Sequence, residues 1–416
     1  MPDGSSPSPS PPTDTCHATF AGLRFSVSEN HSGLALHELF GVAHRVNRHR
    51  QALFVSRVLG KHVPVAPATL RRMAAALAEA VAGSLGGPAM SSGAAPATVL
   101  GYAETATALG HLVRDGLGDA RYLHSTRRAA GGRPVLLAFE EEHSHAPSHT
   151  VFHRDPAVLA GGAPMVLVDD ELTTGRTVAN TIAAIQRVHR RRRYVVAALM
   201  DWRSGEARRS LTTLAHQLGT RIDTVALVTG TVEGTVTPVL ARETVAGAII
   251  SPPKTAGVGS AGVVFHDIGP LGPPSRFGWD PADQQALDAA VVPAAAGLAS
   301  WRGGGPALCL GTEEFMYTPL RLADGLGAGV VYQSTTRSPI RVSRAPGYPV
   351  RTGTTFPDPL EPFRSGHLYN LIPGRYEDIF VFLDEAVPRG QLAGLIEPLA
   401  AAATGRVHVV TCIHRR

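Results

Sequence analysis

The sequence predicts an α/β protein, a parallel sheet flanked by helices and followed by a second α/β domain. Three observations carry this. From Ala18 to about Thr255, strand-like and helical segments alternate, the order that builds a parallel sheet with crossover helices. The run MVLVDD (165–170) stays apolar until two acids end it, as a strand buried on both faces does. A glycine- and proline-rich break, from Ser251 and again at 269–275, precedes a further α/β pattern over about 262–416. The expected division is a disordered tail at 1–16, a first domain at 17–255 and a second at 256–416.

Strands are expected at 97–103, 120–126, 150–154, 165–170, 194–202 and 222–230, where β-branched and aliphatic runs end in turn residues. Helices are expected at 67–83, 104–115, 176–190 and 206–217, where apolar residues recur with helical spacing. The basic run RVHRRRR (187–193) then falls at a helix C-terminus. Cations favourably meet the helix dipole there, and no aromatic residues interleave to stack bases. It reads as a solvated helix end, so no nucleic-acid partner is expected.

At 416 residues with 44% hydrophobic and 18% charged residues, the chain can bury two cores. Its net charge of +5 is modest, and almost all of its cations are arginine, since only Lys61 and Lys254 are lysines. Cys16, Cys309 and Cys412 are too few and too far apart for a disulfide framework or a zinc pattern. No run approaches the length of a membrane span, and the first residues lack signal-peptide order. The cytoplasm is the default address.

The strand 165–170 runs into LTTGRT (172–177) and then a helix. At such a junction, backbone N–H groups and the positive end of the helix dipole converge on an anion. Thr173, Thr174 and Thr177 add hydroxyls, Gly175 permits close approach, and Arg176 adds a cation. Asp169 and Asp170 sit just ahead, where carboxylates accept from sugar hydroxyls or help to hold a divalent cation. Phosphate donors beside hydroxyl acceptors describe a ribose 5-phosphate site. An ordinary turn with capping threonines is the plainer alternative. The sequence is neither a Walker loop nor a dinucleotide fingerprint.

A hydrophobic strand, two acids and T-T-G-x-T resemble the PRPP-binding signature of type I phosphoribosyltransferases. Glu171, where an aliphatic residue is usual, and the extra cation Arg176 depart from it. Other segments narrow the resemblance: LFVSRVLGKHVP, GYAETAT, STRR, FEEEHSH and, near the C-terminus, Thr336-Arg337-Ser338-Pro339. Together they resemble the orotate-phosphoribosyltransferase-like enzymes fused to a C-terminal TRSP domain. That resemblance implies a type I phosphoribosyltransferase fold, magnesium, PRPP and a small nitrogenous base. It also implies a setting in stress-response gene clusters associated with tellurite resistance and a role in biosynthesis of a ribosylated metabolite. A homodimer and other enzymes of the same pathway are further partners it leaves open.

Within that family, loops upstream of the signature hold pyrophosphate. Arg57, Gly60 and Lys61 form one such loop, and Glu104 with Thr105 another. A mobile loop is expected over 139–153, carrying the acids 140–142 and His143, His145, His149 and His153, and a histidine or glutamate of this loop, with His143 among the candidates, is expected to move the base proton. Asp169, Asp170, Lys61 and His143 are thus the expected catalytic residues. A dedicated zinc site in that loop is the weaker reading.

The second domain echoes the first. At an offset of 210 residues, Leu100, Gly101, Glu104, Thr126 and Arg127 fall on Leu310, Gly311, Glu314, Thr336 and Arg337, and further on Asp384 and Glu385 face Asp170 and Glu171. This reads as a phosphoribosyltransferase-like repeat whose phosphate loop is lost, because Pro388 lacks a donor. Thr336, Arg337 and Ser338 are its expected anion site, ringed by Glu313, Glu314, Tyr317, His367, Tyr369 and Asn370, with a purely structural interface as the alternative. The function expected is transfer of 5-phosphoribosyl from PRPP to a base with release of pyrophosphate. The alternatives are a non-catalytic PRPP sensor and a bifunctional enzyme with a second step in the TRSP domain.

Overall fold

The computed structural model describes residues 16–46, 52–86, 96–128, 132–140, 149–236 and 262–413. Most of the expected tail and the expected boundary at 255 lie outside the described residues.

The first unit opens with an antiparallel pair, β1 (Cys16–Phe20) and β2 (Leu23–Asn30). A short helix α1 (Leu36–Leu39) leads to a separate hairpin, β3 (Phe40–His44) with β4 (Ala52–Ser56). Then follow α2 (Pro67–Leu85), β5 (Thr98–Gly101), α3 (Thr107–Gly116), β6 (Arg121–Thr126), β7 (Leu137–Phe139) and β8 (His149–Val151). The remainder is β9 (Met165–Leu172), α4 (Arg176–Val188), β10 (Arg193–Asp201), α5 (Gly205–Leu218) and β11 (Arg221–Gly234). The sheet order is β1-β2-β11-β10-β9-β5-β6-β8-β7. Strands β11, β10, β9, β5 and β6 are mutually parallel, and antiparallel strands close both edges.

Local chemistry sets these elements. Met165, Val166, Leu167 and Val168 are all fully buried, so β9 is sandwiched between layers as its unbroken apolar run requires. Helix α4 turns Val178, Thr181, Ile182 and Ile185 to the sheet at helical spacing. Ser204 caps α5 by accepting from the Ala207 N–H, and Gly219 ends it in the left-handed region.

The segment 150–154, expected as a parallel strand, corresponds to the short antiparallel β8, because it returns from a loop onto the edge of β6. The strands β1 to β3 and β7 were not foreseen, whereas β4 falls on the strand-like run that opens LFVSRVLGKHVP. In the basic run 187–193, Arg187, Arg190 and Arg192 are exposed at the C-terminal end of α4 as expected, and Arg191 alone is buried. Arg191 is 2% exposed and donates to the Leu159 and Ala163 carbonyls, fastening the turn beneath β9.

The second unit comprises β12 (Gly262–Asp267), α6 (Pro281–Trp301), β13 (Ala307–Gly311), α7 (Tyr317–Gly325) and β14 (Val330–Ser334). A hairpin of β15 (Gly353–Pro357) and β16 (Ser365–Tyr369) precedes β17 (Tyr376–Leu383), α8 (Arg389–Ala402) and β18 (Ala403–Thr411). Its parallel sheet runs β12-β18-β17-β13-β14. The core order β18-β17-β13-β14 matches β10-β9-β5-β6 of the first unit. Leu100 pairs with Leu167 and Leu310 with Val381, which places Asp384 at the register position of Asp170. The outer strand differs in connectivity, since β12 precedes α6 whereas β11 follows β10.

The two units meet through reciprocal contacts. Val65, ahead of α2, exchanges both backbone hydrogen bonds with Tyr332 of β14, and Trp279, ahead of α6, does the same with Tyr122 of β6. Each unit thereby adds a bridge to the other's sheet edge. Helix α3 packs on α7, with the His111 ring stacked on Tyr317 at 4.1 Å. One apolar cluster runs through both units, from Leu70, Met73 and Leu109 to Leu287, Leu320 and Tyr332.

Candidate active site

The C-terminal ends of β5, β6, β9 and β10 emerge along one edge of the first sheet. There Asp169 and Asp170 are half-buried at the end of β9, and the Asp170 N–H donates to Asp169 Oδ1 at 3.0 Å. Burial, and then the charge of Asp170, push the Asp169 carboxyl well above the usual range. Burial also raises Asp170, opposed by its hydrogen bond with Asp169 and by the Arg45 guanidinium. Both carboxyls therefore hold a proton more tightly than a solvated carboxylate does, because two adjoining acids in a poorly solvated place disfavour each other's ionised form.

The loop Thr173–Gly175 follows, with Thr174 exposed and Thr173 and Thr177 partly so. Gly175 has φ 72° and occupies the N-cap of α4. A β-carbon there would lie 3.2 Å from Arg203 Cδ, so both backbone conformation and a close neighbour favour glycine. Arg203 is held by Asp201 through two bonds of 2.9 and 2.8 Å and by the Thr224 hydroxyl at 3.1 Å, and Arg208 joins Asp201 at 2.8 Å. This Asp201–Arg203–Arg208 cluster buttresses the loop from β10, and the sequence reading missed it. The signal was an acid and an arginine flanking a tryptophan at the end of a core strand.

The turn after β5 lies beside this loop. Tyr102 N–H donates to the Val168 carbonyl at 3.0 Å, so residues 103–105 leave the sheet next to Asp169. The Ala103–Glu104 peptide is cis, and the Ala103 N–H donates to the Ser125 hydroxyl at 3.0 Å. Thr105 is partly exposed in the same turn. The Glu104 carboxylate faces the second unit. It accepts from the Thr336 hydroxyl at 2.8 Å and from the Arg337 N–H at 3.3 Å, and it pairs with Lys61 Nζ at 3.2 Å. Burial pushes the Glu104 carboxyl up, but the Lys61 ammonium and the Thr336 hydroxyl outweigh that and hold it down at about 2.

Two pyrophosphate-loop expectations, those for Lys61 and Gly60, need correction. Lys61 is 1% exposed and spends its ammonium on Glu104 and on the Glu313 carbonyl, 2.7 Å away. It is an interface cation, closed to an anion arriving from solvent. Gly60, at φ 69°, underlies the Tyr332 ring, which lies 2.6 Å from where a β-carbon would stand. Arg57 donates to the Gly347 carbonyl at 3.2 Å and belongs to the same interface.

The second-unit anion site is likewise corrected. The Arg337 guanidinium is surrounded by carboxylates, at 2.8 Å from Glu313, 3.2 Å from Asp358 and 3.1 Å from Glu361. Arg128 adds a second cation, 2.7 Å from Glu313 and 3.2 Å from Asp358. With its cations matched by acids, this cluster has no surplus charge to attract a further anion. Thr336 accepts from the Ser338 N–H at 3.1 Å. Burial and a hydrogen bond shared with Asp358 push Glu313 up to about 8.

His143 and His145 lie outside the described residues. His149 packs inward, its Nδ1 2.9 Å from the Ser125 hydroxyl and its Nε2 accepting from Arg127 at 3.1 Å. His153 contacts Asp155 and sits apart. Among the described residues no group of three or more His, Cys, Asp or Glu could hold a metal ion, and no helix is long and apolar enough to cross a membrane.

A parallel sheet whose central strand ends in paired carboxylates, followed by a helix that starts at a left-handed glycine, is an α/β arrangement whose helix N-terminus can face an anion. Comparison carries this to a family. The phosphoribosyl transferase family model matches residues 39–231, and the TRSP domain described as C-terminal to that transferase matches 274–399. The chain belongs to this family of phosphoribosyltransferases with a TRSP domain. No curated protein matches it. Among solved structures it is similar to the adenine phosphoribosyl transferase of Trypanosoma brucei in complex with AMP, pyrophosphate and ribose-5-phosphate, at 12% identity over 46% of this chain and 77% of that one, TM-score 0.34. It is also similar to that of Giardia lamblia complexed with 9-deazaadenine, at 19% identity over 46% and 94%, TM-score 0.30.

Proposed function

We propose that this chain moves a 5-phosphoribosyl group from PRPP to a small nitrogenous base and releases pyrophosphate, with magnesium, at the C-terminal edge of the first sheet. The observation that supports this most is the juxtaposition of Asp169 and Asp170 with the loop 173–177 at the start of α4. The acids accept hydrogen bonds from the ribose hydroxyls. Thr173, Thr174, Gly175, Arg176 and Thr177 surround the 5-phosphate with amides, hydroxyls and a guanidinium. Backbone groups of Glu104 and Thr105, which leave the sheet beside Asp169, face pyrophosphate. Two adjoining carboxylates with raised proton affinity are a fitting oxygen environment for magnesium. The ion would neutralise pyrophosphate charge as that group departs. The sugar carbon becomes cation-like, so the protein contributes positioning and fixed charge rather than a nucleophile. A ribosylated metabolite made in a stress-response setting in the cytoplasm fits this chemistry.

The burial of Lys61 favours a second reading. A cation at the pyrophosphate would have argued for turnover, and Lys61 is not available for that task. A PRPP sensor would bind PRPP without cleaving it. Pyrophosphate release from PRPP and magnesium, with and without a small-metabolite extract and against Asp170→Asn, separates the two. Extract-dependent release abolished by the variant supports transfer, and PRPP binding without release under any extract supports sensing.

A further inference from the structure

The two units grip each other through matching bonds. Glu104, in the turn after β5, accepts from Thr336 and from the Arg337 N–H at the end of β14. Glu314, in the turn after β13, accepts from the Arg127 N–H at 3.3 Å and from the Thr126 hydroxyl, both at the end of β6. These are the residues that correspond at the offset of 210 positions. Each turn is therefore held by the other unit's edge, about an internal pseudo-twofold relation.

We propose that the TRSP tetrad is the positioning element for the turn 103–105 of the phosphoribosyl site, and that this is how the second unit serves the first. This rests on the reading that the first sheet's edge binds PRPP. Each tetrad residue has a task. The Thr336 hydroxyl has one proton. Because its oxygen accepts from the Ser338 N–H, that proton is directed to Glu104. The Arg337 N–H adds the second bond to Glu104, while its guanidinium locks the segment onto Glu313, Asp358 and Glu361. The Ser338 carbonyl accepts from Tyr369 at 2.8 Å, and the Pro339 carbonyl accepts from the Val46 N–H at 3.0 Å, which tethers the tetrad to the first unit at a second point. The Glu104 carboxylate is occupied by Thr336, Arg337 and Lys61, so the tetrad acts on the site through the turn.

The test uses the full chain with Thr336→Val, an isosteric change that removes only the hydroxyl, and Thr336→Ser, which restores it. Amide hydrogen exchange reads the turn directly, and calorimetric titration with PRPP and magnesium reads the site. Thr336→Val should raise exchange at 103–107 about tenfold and weaken PRPP about tenfold, the size of one lost buried hydrogen bond, while 176–185 exchanges as in the wild type. Thr336→Ser should recover both. Wild-type exchange at 103–107 in Thr336→Val overturns the proposal. If the wild type itself does not bind PRPP, the functional reading fails, and exchange at 103–107 still decides the positioning role. Should Thr336→Val not fold, Thr336→Ala removes the same hydroxyl without added bulk, leaves Lys61 its partner Glu104, and is read the same way.

Discussion

At equivalent register positions the two parallel sheets end in acids, and those acids are treated differently. On the first edge Asp169 and Asp170 face one another with a raised proton affinity. On the second edge Arg276 reaches Asp384 at 3.4 Å and also pairs with Glu385. Burial raises the Asp384 carboxyl too, but the Arg276 charge opposes it from within the protein. The loops beyond differ likewise: threonines and a left-handed glycine lead into α4, whereas Pro388 caps α8. One sheet edge retains a polar loop and strained carboxylates for a ligand, and the other satisfies its acids internally. The same topology therefore carries differently satisfied acids in its two copies, which fits the proposed substrate site in one unit and a supporting surface in the other.

The sharpest way to break this comparison is at the interface that joins the edges. Replacing Lys61 with methionine leaves Glu104 buried without its cation. That should cost about 3–5 kcal/mol, measured as loss of folding stability in denaturant, with little soluble protein at growth temperature as the extreme outcome. Unchanged stability would show that Lys61 is not the structural cation its burial indicates.

Next, Asp170→Asn should lower PRPP-dependent pyrophosphate release at least about 100-fold and yet raise the melting temperature at pH 7, since it removes one of two adjoining buried acids that disfavour each other's charge. Asp384→Asn should do the reverse. Release stays within about twofold of wild type, while stability falls by about 1–3 kcal/mol because Arg276 loses a partner. If both variants changed activity alike, the edges would not be functionally distinct.

The smallest effect is on pH dependence. His62, lowered to about 3, His124, lowered to about 4, and His111 are buried neutral near the junction of the units, with burial as the main cause in each. A histidine with a depressed folded pKa binds its proton more readily in the unfolded chain. Its stabilisation is present above about 6.5 and is lost as pH falls toward the folded values. Each contributes less than about 1 kcal/mol of loss between pH 7 and 6. The slope of melting temperature against pH in that interval should flatten in His124→Gln, and an unchanged slope would remove His124 from the account.

Several features were legible in the order of residues because they depend on local chemistry. The unbroken apolar run 165–168 required a buried strand, and the helices at 67–85, 176–188 and 205–218 carried their own periodicity, with Ser204 and Gly219 marking the limits of the last. The matching spacing of Glu104 with Arg127 and of Glu314 with Arg337 placed a second parallel sheet before any coordinates. Long-range packing was not legible. Nothing near Lys61 in sequence reveals that the Glu313 carbonyl, 252 residues away, will accept a hydrogen bond from its ammonium. A lysine on a glycine turn looks identical whether it meets pyrophosphate or a buried carboxylate. The N-terminal strands were missed because their packing partners, β11 and the hairpin's aromatic cluster, lie far along the chain or across the fold.

The sequence alone thus determined the parallel α/β class, the phosphate-type loop with its two acids, and the internal correspondence, since each is written in spacing and residue type within one segment. Tertiary structure alone decided which charges remain for a ligand. Burial and partner choice set the free energy of a charge, and for Lys61, Glu104, Arg337 and Asp384 those partners come from distant segments that only the packed units bring within hydrogen-bonding or ion-pairing distance.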